Sequence, residues 1–205
     1  MDKISEKHIK SIIFFQKIYK KYYIQNVIQI TKSNLQTKQW RISNEWYING
    51  KKNECEIYQR KLIEKITSKN VSKVDYRLNI YTYELLIKKN QYKDINGFEW
   101  TEDFDGHFLN NTKNYFFNFK FICDSGGAQR RTLCLVYHFI FIQLSYLIKY
   151  KSKKTFFINV LDGDFCYNNL DKLEYILTKP EFNDVIKYVF IGDTHSFRTW
   201  WIKYS

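Results

Sequence analysis

The chain has 205 residues, a length that suits one ordinary domain and is short for two. An apolar fraction of 44%, with 19% aromatic residues, supplies surface for a core and excludes a disordered chain, while seven Gly and the single Pro180 leave no linker composition to mark a boundary. The formal charge of +12 points to a polyanionic partner through phosphate neutralisation, although only six of the 33 basic residues are Arg, and abundant Lys, Asn, Ile, Tyr and Phe are also what AT-rich codons produce.

In chain order, residues 5–31 are predicted to form an amphipathic helix, with Ile9, Ile12, Ile13, Phe15, Ile18, Tyr19 and Tyr22 at helical spacing and Lys on the other face. A basic helix of this kind can lie on a membrane or on DNA, but more often packs its stripe on its own domain. Residues 36–50 are expected to be irregular or hairpin-like, with Trp40 and Trp46 around Ser43-Asn44 and a turn at Asn49-Gly50. A second helix is predicted over about 52–68, its stripe formed by Cys55, Tyr58/Gln59, Leu62 and Ile66 and bordered by Glu54, Glu56 and Glu64. Residues 74–90 fit either a strand or a short helix. Gly97–Asp105 suits a strand ending in an Asp105-Gly106 turn, followed by a polar loop over 107–113. In Asn114–Ile122 the alternation turns Tyr115, Phe117, Phe119 and Phe121 one way and Asn118 and Lys120 the other.

A long helix is predicted over about 128–149, then a continuous apolar run, Thr155–Leu161, of the kind found in buried parallel strands. A helix over about 168–178 and a strand over Tyr188–Ile191 follow, and Trp200-Trp201-Ile202 is expected to cap the core. The expected fold class is α/β, a mixed central sheet flanked by helices: one domain over 1–205, with an N-terminal helical or irregular extension over 1–50 and the α/β core over 51–205.

Cys55, Cys123, Cys134 and Cys166 form no CxxC pair, which argues against zinc, and three of them sit in apolar, periodic surroundings that suit reduced core thiols. The N-terminus lacks a secretory signal's apolar stretch, and Cys134–Ile148 is interrupted by His138 and Gln143 and too short to span a bilayer, so the expectation is a cytoplasmic or other intracellular protein, not secreted and without a membrane partner. The four histidines show no ligand spacing, and His138 is expected to pack in the core.

The strongest constellation is Asp103/Asp105, a hairpin, then Asn118-x-Lys120. Carboxylates hold Mg²⁺, which neutralises a scissile phosphate and acidifies a bound water, and a neighbouring lysine positions or deprotonates that water. The plain alternatives are an Asp-Gly hairpin residue and an exposed lysine on a half-buried strand. Gln129, Arg130 and Arg131 lie in the first turn of the long helix, where the two guanidinium groups oppose its dipole, a placement that suits an anion at that end.

On these residues the chain resembles the PD-(D/E)xK restriction-endonuclease-like superfamily. Asp105 lies 13 residues before Asn118, the segment Asn118-Phe119-Lys120 occupies the tripeptide on an alternating strand, and Asp124-Ser-Gly126-Gly127 precedes the crossover helix; Asn118 stands where that family has an acid. The resemblance covers about 52–165. It implies a restriction-endonuclease-like core of helix, three-stranded meander, crossover helix and strand, and a Mg²⁺-dependent (Mn²⁺ possible) endonuclease of double-stranded DNA, type II restriction-like, working as a homodimer. It further implies that Asp105, with Asp103 and Glu54 or Glu56, holds the metal, that Asn118 completes coordination and Lys120 activates water, and that Gly126, Gly127, Gln129, Arg130 and Arg131 meet the backbone. A non-catalytic DNA- or RNA-binding relative is the alternative. A transferase or phosphohydrolase built on Asp162/Asp164 is a further one, and Gly192-Asp193-Thr194-His195 is discounted as a phosphoesterase motif because its companion motif is missing.

Overall fold

The structure is a computed structural model that describes residues 36–48, 53–73, 76–86 and 97–204. The helix expected over 5–31 and the turn at Asn49-Gly50 lie outside these residues.

The described chain is mixed α/β. A short helix α1 (Lys38–Ile42) precedes α2 (Glu54–Thr67); then come β1 (Arg77–Asn79), β2 (Leu85–Leu86), β3 (Thr101–Asp103), β4 (Gly106–Asn110), β5 (Lys113–Phe121), α3 (Gly127–Tyr150), β6 (Thr155–Asp162), α4 (Asp164–Tyr167), α5 (Leu170–Glu174), β7 (Val189–Gly192) and α6 (Thr194–Tyr204). The larger sheet has the order β4-β5-β6-β7, with β4/β5 antiparallel and β5/β6 and β6/β7 parallel. The C-terminal ends of three neighbouring parallel strands therefore open at one edge, where α/β sheets present their ligands.

β5 alternates as its sequence demands. Tyr115, Phe117 and Phe119 join Ile63 of α2 and Phe197, Trp200 and Trp201 of α6 in one core, while Phe116 enters the other core with Phe157, Leu161 and the apolar stripe of α3. Helices thus cover both faces, which is why β6 is buried at every position. The expected cap by the C-terminal tail holds for Trp200 and Trp201, whereas Ile202 is exposed.

Several expectations are corrected. The three-stranded meander is split: β1 and β3 pair with each other in a separate sheet of order β2-β1-β3, and the chain breaks step at Phe104-Asp105 before β4 begins. The segment over 107–113 is no loop. His107 and Phe108 continue as strand because Phe108 packs on Tyr115 and Phe117, and the turn falls at Asn111, whose φ of 54° an asparagine tolerates. The helix over 168–178 is replaced by α5 and a 3₁₀ turn (Tyr175–Thr178), with α4 just before it, which keeps Cys166, Leu170, Leu173, Ile176 and Leu177 all against the core. The stripe of α2 is rotated, so that Glu54, Gln59, Ile63 and Thr67 are its buried positions. His138 and Cys134 are exposed on α3, and Cys55 and Cys123 are only half-buried.

Among the described residues one helix, Gly127–Tyr150, is long and apolar enough to cross a membrane, more so than Cys134–Ile148 suggests, and here it packs Leu133, Val136, Phe139, Ile140, Leu144 and Leu147 into the core of the molecule.

Candidate functional site

Asp105 sits where the chain passes from the small sheet into β4. Its N–H donates to Phe117 O (2.8 Å), and its Oδ2 accepts from the Phe119 N–H (2.7 Å), so main chain and side chain are both fastened to β5. The same Oδ2 accepts from Lys120 Nζ at 3.1 Å. Asp105 is therefore no hairpin residue. The acid and the ammonium group singled out from sequence meet at the C-terminal end of β5, with the lysine side chain 33% exposed and hence open to a ligand.

α2 brings a second carboxylate. Arg60 Nη2 donates both to Glu56 and to the Asp105 carbonyl, which holds the first turns of α2 against the Asp105 bend. Burial pushes the Glu56 carboxyl above its ordinary range and the Asp105 charge adds to the rise, with Arg60, Lys73 and Lys120 opposing it. Glu102 on β3 faces the same charges. Although open to solvent on one side, its carboxyl is pushed up by partial burial, pulled down by Lys120, and raised again by Asp103 and Asp105. Asp105, Glu56 and Glu102 thus cluster around Lys120, with Arg60 paired to Glu56 and Lys73 nearby, so acids and bases interleave at this end of the sheet.

The remaining expected residues divide. Glu54, Glu56, Lys120 and Gln129 line one cavity of about 370 Å³ with Gln59 and Asp124. Gly126 is the N-cap of α3 in extended backbone, and a Cβ there would meet Gln129 Oε1 at 2.7 Å, so the glutamine folds back over the helix start, while a Cβ at Gly127 would meet only open space. Arg130 borders a different cavity with Tyr137, Phe165 and Lys172, and Arg131 is exposed. Asp103 is engaged elsewhere: Arg77, itself buried, holds it (Nη2 to Oδ2, 3.3 Å) together with Glu99.

Asn118 is on the face of Lys120 but two residues deeper. It is 1% exposed, and its Nδ2 donates to Asn159 Oδ1 (3.0 Å), which also accepts from Gln143 Nε2 (3.1 Å), while Asn159 Nδ2 donates back to Gln143 Oε1 (2.8 Å). The tripeptide's middle-of-sheet position is filled by an amide cluster that joins β5, β6 and α3.

Sequence reasoning missed the hub behind the cavity. Gln59 Nε2 donates to Lys120 O (3.1 Å), Val160 O (3.2 Å) and Asp162 Oδ2 (2.7 Å), and Asp162 also accepts from Gln36 Nε2, Thr194 N and Thr194 Oγ1. Asp162 is fully buried. Burial raises its pKa and the Thr194 donors pull it down, with nearby Asp193 opposing them. A carboxylate enclosed by four donating groups ties elements together and presents no face to a substrate, so Leu161-Asp162-Gly163-Asp164 acts here as a fastening. The available signal was Asp162 ending a largely apolar strand.

Among the described residues no three His, Cys, Asp or Glu side chains stand close enough to form a ready-made metal cage. No family model, no curated protein and no solved structure matches this chain.

Proposed function

We propose that the protein is a Mg²⁺-dependent endonuclease of double-stranded DNA, similar in its chemistry to type II restriction enzymes, with Asp105, Glu56 and Lys120 as its working groups. The observation that carries this is the 3.1 Å contact of Asp105 with Lys120 at the open end of a parallel strand, where burial and neighbouring charge also press on Glu56.

The donor set suits a hard divalent cation. Mg²⁺ keeps several waters and takes one or two protein carboxylates plus substrate phosphate, so Asp105 and Glu56 suffice where a closed cage is lacking. Mn²⁺ accepts the same oxygen ligands. Bound there, the ion supplies an acidified water and neutralises charge on the scissile phosphate. Asp105 holds Lys120 Nζ at the mouth of the cavity, where the ammonium group orients the attacking water and balances charge on the phosphoryl oxygens. Gln129 lines the same cavity and donates an amide N–H toward a phosphate oxygen. Arg60 keeps Glu56 and Asp105 in register until substrate and metal arrive.

One observation favours the inert alternative. With Asn118 drawn into the core amide cluster, the tripeptide contributes no charge, and Glu56 must stand in for the family's second acid. Cleavage of duplex DNA in Mg²⁺ and in EDTA decides between the two. The purified chain is expected to nick duplex only with the metal, and Lys120→Ala to lower the rate by about 10²–10⁴-fold, the usual yield of a positioned acid–base group, with an unchanged melting temperature. Duplex binding without nicking in either Mg²⁺ or Mn²⁺ would leave a non-catalytic DNA-binding domain.

A further inference from the structure

A second cavity, of about 410 Å³, opens between α2 and α6 and is lined by Lys65, His195 and Arg198 with Gln36, Leu62 and Ile66. The volume is more than ten times the roughly 30 Å³ that one water takes up in the liquid. All three basic side chains are exposed, and among the described residues no Asp or Glu lines the cavity and none of the three has an ion-pair partner. The two permanent cations, Lys65 and Arg198, drawn to one concavity repel each other, and an anion relieves that repulsion.

The cavity belongs to the same end of the sheet as Lys120. Thr194, at the start of α6, donates its N–H (3.0 Å) and hydroxyl (2.6 Å) to Asp162, and Gln36 donates to it from the cavity wall (3.2 Å). Gln59 bridges that carboxylate to the carbonyl of Lys120, so one buried acid joins the walls of both cavities.

We infer that this cavity seats a second phosphodiester of the duplex whose scissile phosphate lies at Lys120; the inference rests on the proposed function for its choice of ligand. Arg198 forks two phosphate oxygens, Lys65 neutralises the same or the adjoining phosphate as a point charge, and His195 donates a ring N–H. Leu62 and Ile66 offer an apolar surface to the deoxyribose between them.

The test is binding of a fluorescent duplex in EDTA, where no cutting intervenes, followed across salt concentrations. Lys65→Ala/Arg198→Ala is expected to bind more weakly on every sequence and to reduce the slope of log K against log salt by about 1 if both cations meet one phosphate and by about 2 if they meet two, at roughly 0.9 for each phosphate left without its cation. Lys153→Ala/Lys187→Ala removes the same formal charge from exposed positions preceding β6 and β7, at the opposite end of the sheet, and is expected to leave the slope unchanged. Equal slopes for the two double variants, or a wild-type chain that binds no duplex, overturns the inference. If wild type binds without ever cutting while the slope still falls in Lys65→Ala/Arg198→Ala, the nuclease proposal fails and the cavity assignment stands. If wild type cuts and the slope is unmoved, the reverse holds.

Discussion

Asp105 shows how much a single carboxylate does at this site. Its Oδ2 accepts a main-chain N–H and an ammonium N–H at once, so its position is set by β5 and not by its own rotamer freedom. Asp105→Asn keeps an oxygen for Phe119 but removes the charge a cation needs. The cleavage rate in Mg²⁺ is expected to fall by about 10³-fold, the equivalent of some 4 kcal/mol, while duplex affinity in EDTA is retained. Gly163 is the other position with no substitute. Its φ is +95°, and a Cβ there would lie 2.3 Å from Ile122 O, a main-chain atom. Gly163→Ala is expected to cost about 1–3 kcal/mol in backbone strain, with the clash in addition, read as a lowered urea midpoint. At this scale the sequence disclosed Asp105 and Lys120, since strand alternation reports which face a side chain takes. It says nothing of depth along that face, and Asn118 and Lys120 therefore looked equivalent when one is core and the other rim. Glu102 escaped notice because Gly97–Asp105 looked like one strand, whereas only Thr101–Asp103 is paired as one.

At the scale of elements, α2 is docked on the sheet by hydrogen bonds that apolar periodicity does not reveal. Gln59 is completely buried and satisfies two strand carbonyls and the Asp162 carboxylate. Gln59→Leu removes the two N–H groups that these three acceptors share; at about 1–3 kcal/mol for a buried polar group left unsatisfied, the urea midpoint is expected to drop. The cleavage rate of the folded fraction is expected to drop too, because Glu56 rides on the same helix. A variant as stable and as active as wild type would remove Gln59 from this role. On the far side of α2, Trp200→Ala is expected to cost about 3–5 kcal/mol, as large core truncations do, since Trp200 packs on Phe156, Phe190 and Phe197. The long, periodic elements β5, α3, β6 and β7 were legible to within a residue or two of their ends. The strands β1 to β3, of two or three residues each, are too short to carry a period, so their separate sheet was hidden.

For the whole molecule, the chemistry-bearing groups are gathered at one end of the larger sheet while the thiols are spread through its depth, and the thiols report on packing. Cys134 is exposed on α3, Cys123 is pushed up to about 11 chiefly by burial, with the nearby Arg41 opposing the rise, and Cys166, with no exposed surface, is raised further still. A thiol titrating near 11 is thiolate in only about one molecule in a few thousand at pH 7.5. Maleimide labelling followed by peptide mapping is expected to find Cys134 first and Cys166 only after unfolding, with the Cys123 rate climbing about tenfold per pH unit from 7 to 10 as its thiolate fraction grows. Modification of Cys166 in the native protein ahead of Cys134 would contradict the packing of α4 against the ends of β5 and β6. The α/β class was legible at this scale from alternation and buried runs. The docking of the two sheets was not, because it depends on one irregular step at Phe104-Asp105.

That step ties chemistry to strand alignment. Gly106 faces Phe117 in the β4/β5 ladder, and Asp105 reaches Phe119 and Lys120 only in this pairing. Shifting one strand by a single residue would turn its side chains to the opposite face and part the acid from the ammonium group. Under the proposed function, a chain emerging from the ribosome has no paired Asp105 and Lys120 until the hairpin has zipped in its proper frame, so cutting activity would arrive only with the finished fold.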